Sequence, residues 1–252
     1  MNKNTQNQSK KIKIKSNKQE LVSQINDNFC KNYGNIDFCI LHEKKWKGDQ
    51  DILDAIRKSF APPRPKGKYQ WLNSIDIRDV MDQYEEKYQK FKFLGPVPID
   101  FQEIGTEVGN LNLKHIKPHT SHIGIIFNTD PHDQPGEHWI SMFIDLHNNT
   151  ICFFDSTGDE PPKQVVDLIE KLVKQSKNLG ITSYLKPIIN KQEHQLDDSE
   201  CGVYSLYFIL QRLKGKSCEN IFKKKIHDEE MNKNRKVFFT DSLPLVLESF
   251  KY

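Results

Sequence analysis

At 252 residues the chain is long enough to bury a full-sized core, and 36% hydrophobic with 28% charged residues is the composition of a globular protein. Lys and Arg exceed Asp and Glu by only 37 to 34, which excludes a strongly basic nucleic-acid binder, and no apolar run approaches the ~20 residues of a membrane span. Five cysteines without a C-x-x-C pair, and no apolar leader before them, point to a reducing, cytosol-like compartment.

Residues 1–18 hold six Lys among Asn, Gln and Ser, a basic tail expected to be disordered. Leu21, Val22, Ile25 and Phe29 recur at helical spacing, and so do Ile52, Leu53, Ile56 and Phe60 before Ala61-Pro62-Pro63 stops the pattern. Residues 19–66 therefore read as a small helical arm and linker, with the Pro-rich stretch "APPRPKGK" as the boundary, and residues 67–252 as the main domain. After Trp71-Leu72-Asn73, the positions Ile77, Val80, Met81, Tyr84 and Tyr88 predict a helix that Asn73 or Ser74 caps.

"HIGIIFN", "HWISMFIDL" and "ICFFD" are rich in β-branched and aromatic residues and read as three consecutive strands. "PPKQVVDLIEKLVKQSKNLG" follows as an amphipathic helix, and "ITSYLKPIIN" as a strand that Pro187 confines to an edge or a bulge. "ECGVYSLYFILQRLKG" is apolar on nearly every side, the pattern of a helix buried at the centre of a fold. The fold class is α+β, with strands packed beside a buried helix.

Cys201 stands where the polar loop "KQEHQLDDSE" meets the first turn of that buried helix, a position at which backbone N–H groups and the helix dipole favour a thiolate. Gly202 after it offers no side chain to block an approaching carbonyl. By itself Cys201 also fits an inert buried thiol. A nucleophilic cysteine needs a base, and the base needs an orienting group. His138, before Trp139 at the start of a strand, is the candidate base, and Asp155 at the end of the next strand the candidate orienter. If residues 147–150 form the hairpin loop, however, Asp155 falls opposite Met142, ~13 Å along the strand from His138. A bulge or a curled strand end would be needed, and Asp159 fits the simple register better. Gln195, six residues before Cys201, carries an amide that can donate to an oxyanion, or is an ordinary solvated loop residue.

The order and spacing of "GEHWISMFIDLHNNTICFFDSTGDEPP" and "HQLDDSECGVYSLYFILQRL" resemble the His-Trp, Asp and Gln-x5-Cys-Gly signatures of the adenain and ubiquitin-like-protein protease superfamily. "SFAPPRP", "FNTD", "DSTGDEPP" and "IHDEEMNKNRKVFF" extend the resemblance to the polyprotein-processing proteases of African swine fever virus and related giant DNA viruses. It implies a papain-like core, a central mixed sheet packed against a buried helix carrying the nucleophile. It also implies the roles of Cys201 as nucleophile, His138 as general base, Asp155 as orienter in preference to Asp159, and Gln195 as oxyanion donor, with no cofactor. Trp139 would narrow the substrate channel, or else serve as a core aromatic. The implied substrate is a viral structural polyprotein cut after Gly-Gly during virion maturation, in the host cytoplasm at assembly sites and in the virion.

Three other readings remain open at this stage. One is removal of ubiquitin or a ubiquitin-like modifier from host proteins with the same site. A second is a metal site from His115, His119 and His122 with His132 nearby, against which Pro118 interrupts the helix that would align them. The third is a non-catalytic scaffold that keeps only the fold.

Overall fold

The computed structural model describes residues 61–239, except 63, 66, 68 and 180–183. The predicted tail, nearly all of the predicted arm, Cys30 and Cys39 lie outside the described residues. The described residues fall within one compact unit.

The unit opens with helix α1 (Ser74–Lys87), whose start is closed by a reciprocal cap. Asn73 Oδ1 accepts from the N–H groups of Ile75 and Asp76, at 2.8 and 3.0 Å, and the Asp76 carboxylate accepts from Asn73 N–H at 2.9 Å. Strands β1 (Phe91–Phe93) and β2 (Val97–Pro98) follow, then the short helix α2 (Leu113–Ile116). Next come β3 (His122–Asn128), β4 (Trp139–Asp145) and β5 (Thr150–Phe154), the three strands predicted from sequence. Helix α3 (Lys163–Asn178), strand β6 (Lys186–Ile189) and helix α4 (Cys201–Leu213) complete the core. Three short helices, α5 (Cys218–Lys223), α6 (Asp228–Lys233) and α7 (Arg235–Phe238), close the described chain.

The sheet runs β1-β3-β4-β5-β6, with β2 also paired to β3. It is mixed: β3, β4 and β5 are antiparallel, whereas β1, β2 and β6 join in parallel. Side chains alternate across it. Ile123, Ile125, Phe127, Ile140, Met142 and Ile144 face one apolar cluster with Val165, Leu168 and Leu172 of α3. Ile126, Phe143 and Phe154 face the other, with Val203, Leu206 and Phe208 of α4. Covered on both faces, the sheet accommodates the parallel pairings, and α4 is buried along nearly its whole length, as its composition requires. Pro187 sits in β6 at the sheet's edge, where a missing N–H costs no ladder bond.

Two expectations need correction. The β4–β5 ladder runs from Ser141 opposite Phe154 to Asp145 opposite Thr150, so the hairpin loop is residues 146–149, one residue earlier than assumed. Asp145 fixes this turn by accepting from His147 N–H (3.0 Å) and Asn148 N–H (2.9 Å), and Asn149 takes the left-handed conformation at φ 54°. The register carries Asp155 to the level of Ile140, two residues nearer His138. The second correction concerns the thiols: Cys152 on β5 and Cys218 at the start of α5 form a buried disulfide, with Cα atoms 6.3 Å apart. An odd cysteine count and the lack of a C-x-x-C pair say nothing about partners 66 residues apart in sequence.

Candidate active site

Cys201 begins α4 and is 2% exposed; it is a free thiol. His138 immediately precedes β4, and its Nε2 lies 2.8 Å from Asp155 Oδ1. Cys201 also acts electrostatically on the imidazole, and with Nε2 engaged by Asp155 the ring nitrogen left for the sulfur is Nδ1. Burial disfavours charge on this ring, but its interactions with Asp155 and Cys201 and their negative charge outweigh it and hold His138 up to about 10. The ring is therefore an imidazolium across the neutral range.

Asp155 is held in turn. Its Oδ1 accepts from Thr157 N–H at 2.9 Å, and its backbone carbonyl accepts from Asn190 Nδ2 at 2.7 Å. The Thr157 hydroxyl sits 2.8 Å from Asp155 Oδ1 and 2.9 Å from Asp159 Oδ2. Asp159, which the simple hairpin register favoured, is linked to Asp155 through the Thr157 hydroxyl, whereas Asp155 itself bonds His138.

Gln195 is buried at 5% exposure, not solvated. The Ser156 hydroxyl donates to its Oε1 at 2.7 Å, and its Nε2 donates to Asp197 carbonyl at 2.5 Å. One amide hydrogen is left without a protein acceptor among the described residues. Ser156 also receives the N–H groups of His194 and Gln195 on its carbonyl, at 2.8 and 2.9 Å, so one residue anchors both the backbone and the amide.

Trp139 is buried and belongs to the core, and its indole N–H donates to Leu72 carbonyl at 2.7 Å. Leu72 also explains Gly202: a Cβ there would lie 3.0 to 3.3 Å from the Leu72 side chain, so this glycine serves close packing of α4 against the segment before α1 rather than access of substrate. Trp71, read from the sequence only as part of Trp71-Leu72-Asn73 and given no role at the site, is 44% exposed and forms the shared wall of two clefts. One, of about 610 Å³, is lined by His138, Asp155, Gln195, Thr157 and Asp159. The other, of about 400 Å³, is lined by Leu72, Pro96, Pro98, Ile104 and Trp139.

The histidines of the possible metal site do not converge. His122 lies 3.7 Å from Asp145, and His132 Nδ1 lies 2.6 Å from Asp100 Oδ2. Among the described residues no group of three His, Cys, Asp or Glu side chains is arranged to hold a metal ion.

A free cysteine at the start of a buried helix, with a histidine that acts on it electrostatically and that a carboxylate holds from behind, is the constellation of a papain-like cysteine protease. The model of the Ulp1 protease family, C-terminal catalytic domain, matches residues 75–245, and the chain belongs to that family. It is a cysteine protease. A putative thiol protease of Acanthamoeba polyphaga mimivirus is 36% identical over 236 residues, covering 90% of this chain and 76% of that protein. A cysteine protease of African swine fever virus is 28% identical over 205 residues, 75% of each chain. A relative from another isolate of that virus, a SUMO-1 cysteine protease, matches at 28% identity over the same coverage. The crystal structure of the African swine fever virus protease superposes with a TM-score of 0.65 at 25% identity, over 81% of this chain and 82% of that one.

Proposed function

We propose that the chain is an endopeptidase that cuts after Gly-Gly in viral structural polyproteins during virion maturation, working in the host cytoplasm at virus assembly sites and in the virion. The observation that carries this reading is a free thiol only 2% exposed at the start of a helix, beside a histidine that Asp155 holds. A scissile carbonyl reaches such a sulfur only if the residues before it have no bulk. The protease relatives in mimivirus and African swine fever virus support a viral setting, and the polyprotein substrate rests on the motif resemblance.

In this mechanism the Cys201 thiolate attacks the carbonyl carbon, and the oxyanion is held by the free amide hydrogen of Gln195 and the backbone N–H of Cys201. The His138 imidazolium passes its Nδ1 proton to the departing amine, and the C–N bond breaks to leave a thioester. Neutral His138 then takes a proton from the water that attacks the thioester, and the cleaved chain leaves with the thiolate and imidazolium restored. Asp155 accepts from Nε2–H throughout and so fixes the tautomer. Gln195→Ala should lower kcat by about 10²- to 10³-fold with KM little changed, because the donor acts on the transition state. A raised KM at unchanged kcat would make Gln195 a substrate contact instead.

Specificity gives the deciding test. In a peptide series, replacing the Gly next to the scissile bond by Val should lower kcat/KM by several kcal/mol of discrimination, beyond the about 1–3 kcal/mol of one methylene. Equal cleavage of Gly-Gly and Ala-Leu peptides would remove the reading. A second reading, release of ubiquitin-like modifiers from host conjugates, is favoured by the SUMO-1 protease relative. Parallel incubation with modifier conjugates and with capsid precursors, followed by mapping of new N-termini, separates the two.

A further inference from the structure

The loop from Lys191 to Glu200 carries Gln195 to the edge of the cleft and has no regular secondary structure, so something outside it must fix its shape. Its core side rests on Ser156. Its other side rests on α6 and α7, which hold the segment "IHDEEMNKNRKVFF" singled out in the sequence and used by no step of the mechanism.

Three side chains of that segment, at spacing i, i+4 and i+7 on successive helical turns, reach the loop. Asp228, 7% exposed, accepts on one carboxylate oxygen from the N–H groups of Leu196 (2.9 Å) and Asp197 (3.1 Å). Its other oxygen accepts from the Tyr204 hydroxyl of α4 at 3.0 Å. Asn232 donates to Glu200, the residue before the nucleophile, at 2.6 Å. Arg235, 2% exposed, donates to Asn232 Oδ1 at 2.8 Å, to Ser199 carbonyl at 2.9 Å and to Gln70 carbonyl at 2.9 Å, the last beside Trp71. The Asp228 bonds matter most for chemistry. They hold the peptide groups immediately after Gln195, and the Asp197 carbonyl that this peptide chain presents is the acceptor of Gln195 Nε2. Asp228 therefore sets the acceptor that aims the amide.

We infer that the segment from Asp228 to Arg235 is a clamp on the active-site loop, in which Asp228 is the positioning residue for the oxyanion donor Gln195, with Asn232 and Arg235 holding the peptide next to Cys201. The inference rests on the oxyanion role proposed above for Gln195. Nothing in it requires Asp228 to touch substrate.

The test is a double-mutant cycle on acylation of Cys201 by p-nitrophenyl acetate, an ester that needs the nucleophile and the oxyanion donor but no Gly-Gly recognition, with the rate of Cys201→Ala subtracted. Asp228→Leu keeps roughly the size of the side chain but removes the acceptor of both loop N–H groups; it should slow acylation about 10- to 100-fold. In the Gln195→Ala background the same change should have less than a twofold effect, because the group it aims is gone. A purely structural residue would cost the same factor in both backgrounds, and that result, or no effect of Asp228→Leu at all, would overturn the inference alone. Normal acylation by Gln195→Ala would overturn the oxyanion reading and this inference with it. Should Asp228→Leu fail to fold, Asp228→Glu, which keeps the charge but displaces the acceptor by one methylene, is run through the same cycle with the same criterion.

Discussion

Cys201→Ala is expected to abolish peptide cleavage, lowering kcat by on the order of 10⁵-fold, while thermal unfolding shifts little. The thiolate forms the covalent intermediate, and no other group within reach of His138 can replace it. Among the described residues the other two cysteines, Cys152 and Cys218, are joined to each other within the core. The substitution removes one sulfur at the first residue of α4, so the cost to packing is small beside the loss of chemistry. Cleavage at the wild-type rate by Cys201→Ala would exclude the assignment of the nucleophile.

Asp155 should give the second large effect. Asp155→Ala is expected to lower kcat by about 10³-fold, because His138 loses both its fixed tautomer and the partner that stabilises its charge. Asp155→Asn should retain more activity, since an amide oxygen still accepts from Nε2–H. The pH dependence carries a signature. His138 is held up to about 10, against an ordinary imidazole value of 6.5, by hydrogen bonds and charge that overcome its burial. A raised pKa means that the charged form is present below it and lost as pH rises through it, so the alkaline limb of kcat in the wild type should lie well above neutrality. Removing the carboxylate should move that limb toward neutral pH in Asp155→Ala. Asp159→Ala, which removes a group linked to Asp155 through the Thr157 hydroxyl, should leave limb and rate nearly unchanged. A larger effect at Asp159 than at Asp155 would reverse the assignment of the orienting group.

These residues differ in how far sequence alone could reveal them. Cys201 and His138 stand out as candidates because their signals are local, a polar loop running into an all-apolar helix and a His-Trp pair opening a strand, but each alone left a second reading open, and the role of Gln195 comes from the resemblance. Asp155 was not reachable by hairpin counting, since a shift of one residue in the loop moves its cross-strand partner by two positions, and the turn is set by the side chain of Asp145. Strands β1 and β2 are three and two residues long, too short to show a period, and both depend on β3 for their pairing. The Cys152–Cys218 disulfide and the clamp of Asp228 and Arg235 are farther from view. Arg235 bonds to Gln70 carbonyl across 165 positions, and in sequence it is a basic residue in a charged stretch, indistinguishable from a solvated one. Trp71 was visible as part of Trp-Leu-Asn, but its exposure between two clefts comes only from the packing of Leu72 against Trp139 and Gly202.

The most direct measurement on the whole account is mass-spectrometric mapping of the adduct formed with a peptide that ends in Gly-Gly and carries a vinyl methyl ester in place of the scissile bond. The account predicts a single adduct, on Cys201, that fails to form when the terminal Gly is replaced by Val. Modification of a different cysteine, or equal labelling by the Val peptide, would contradict it.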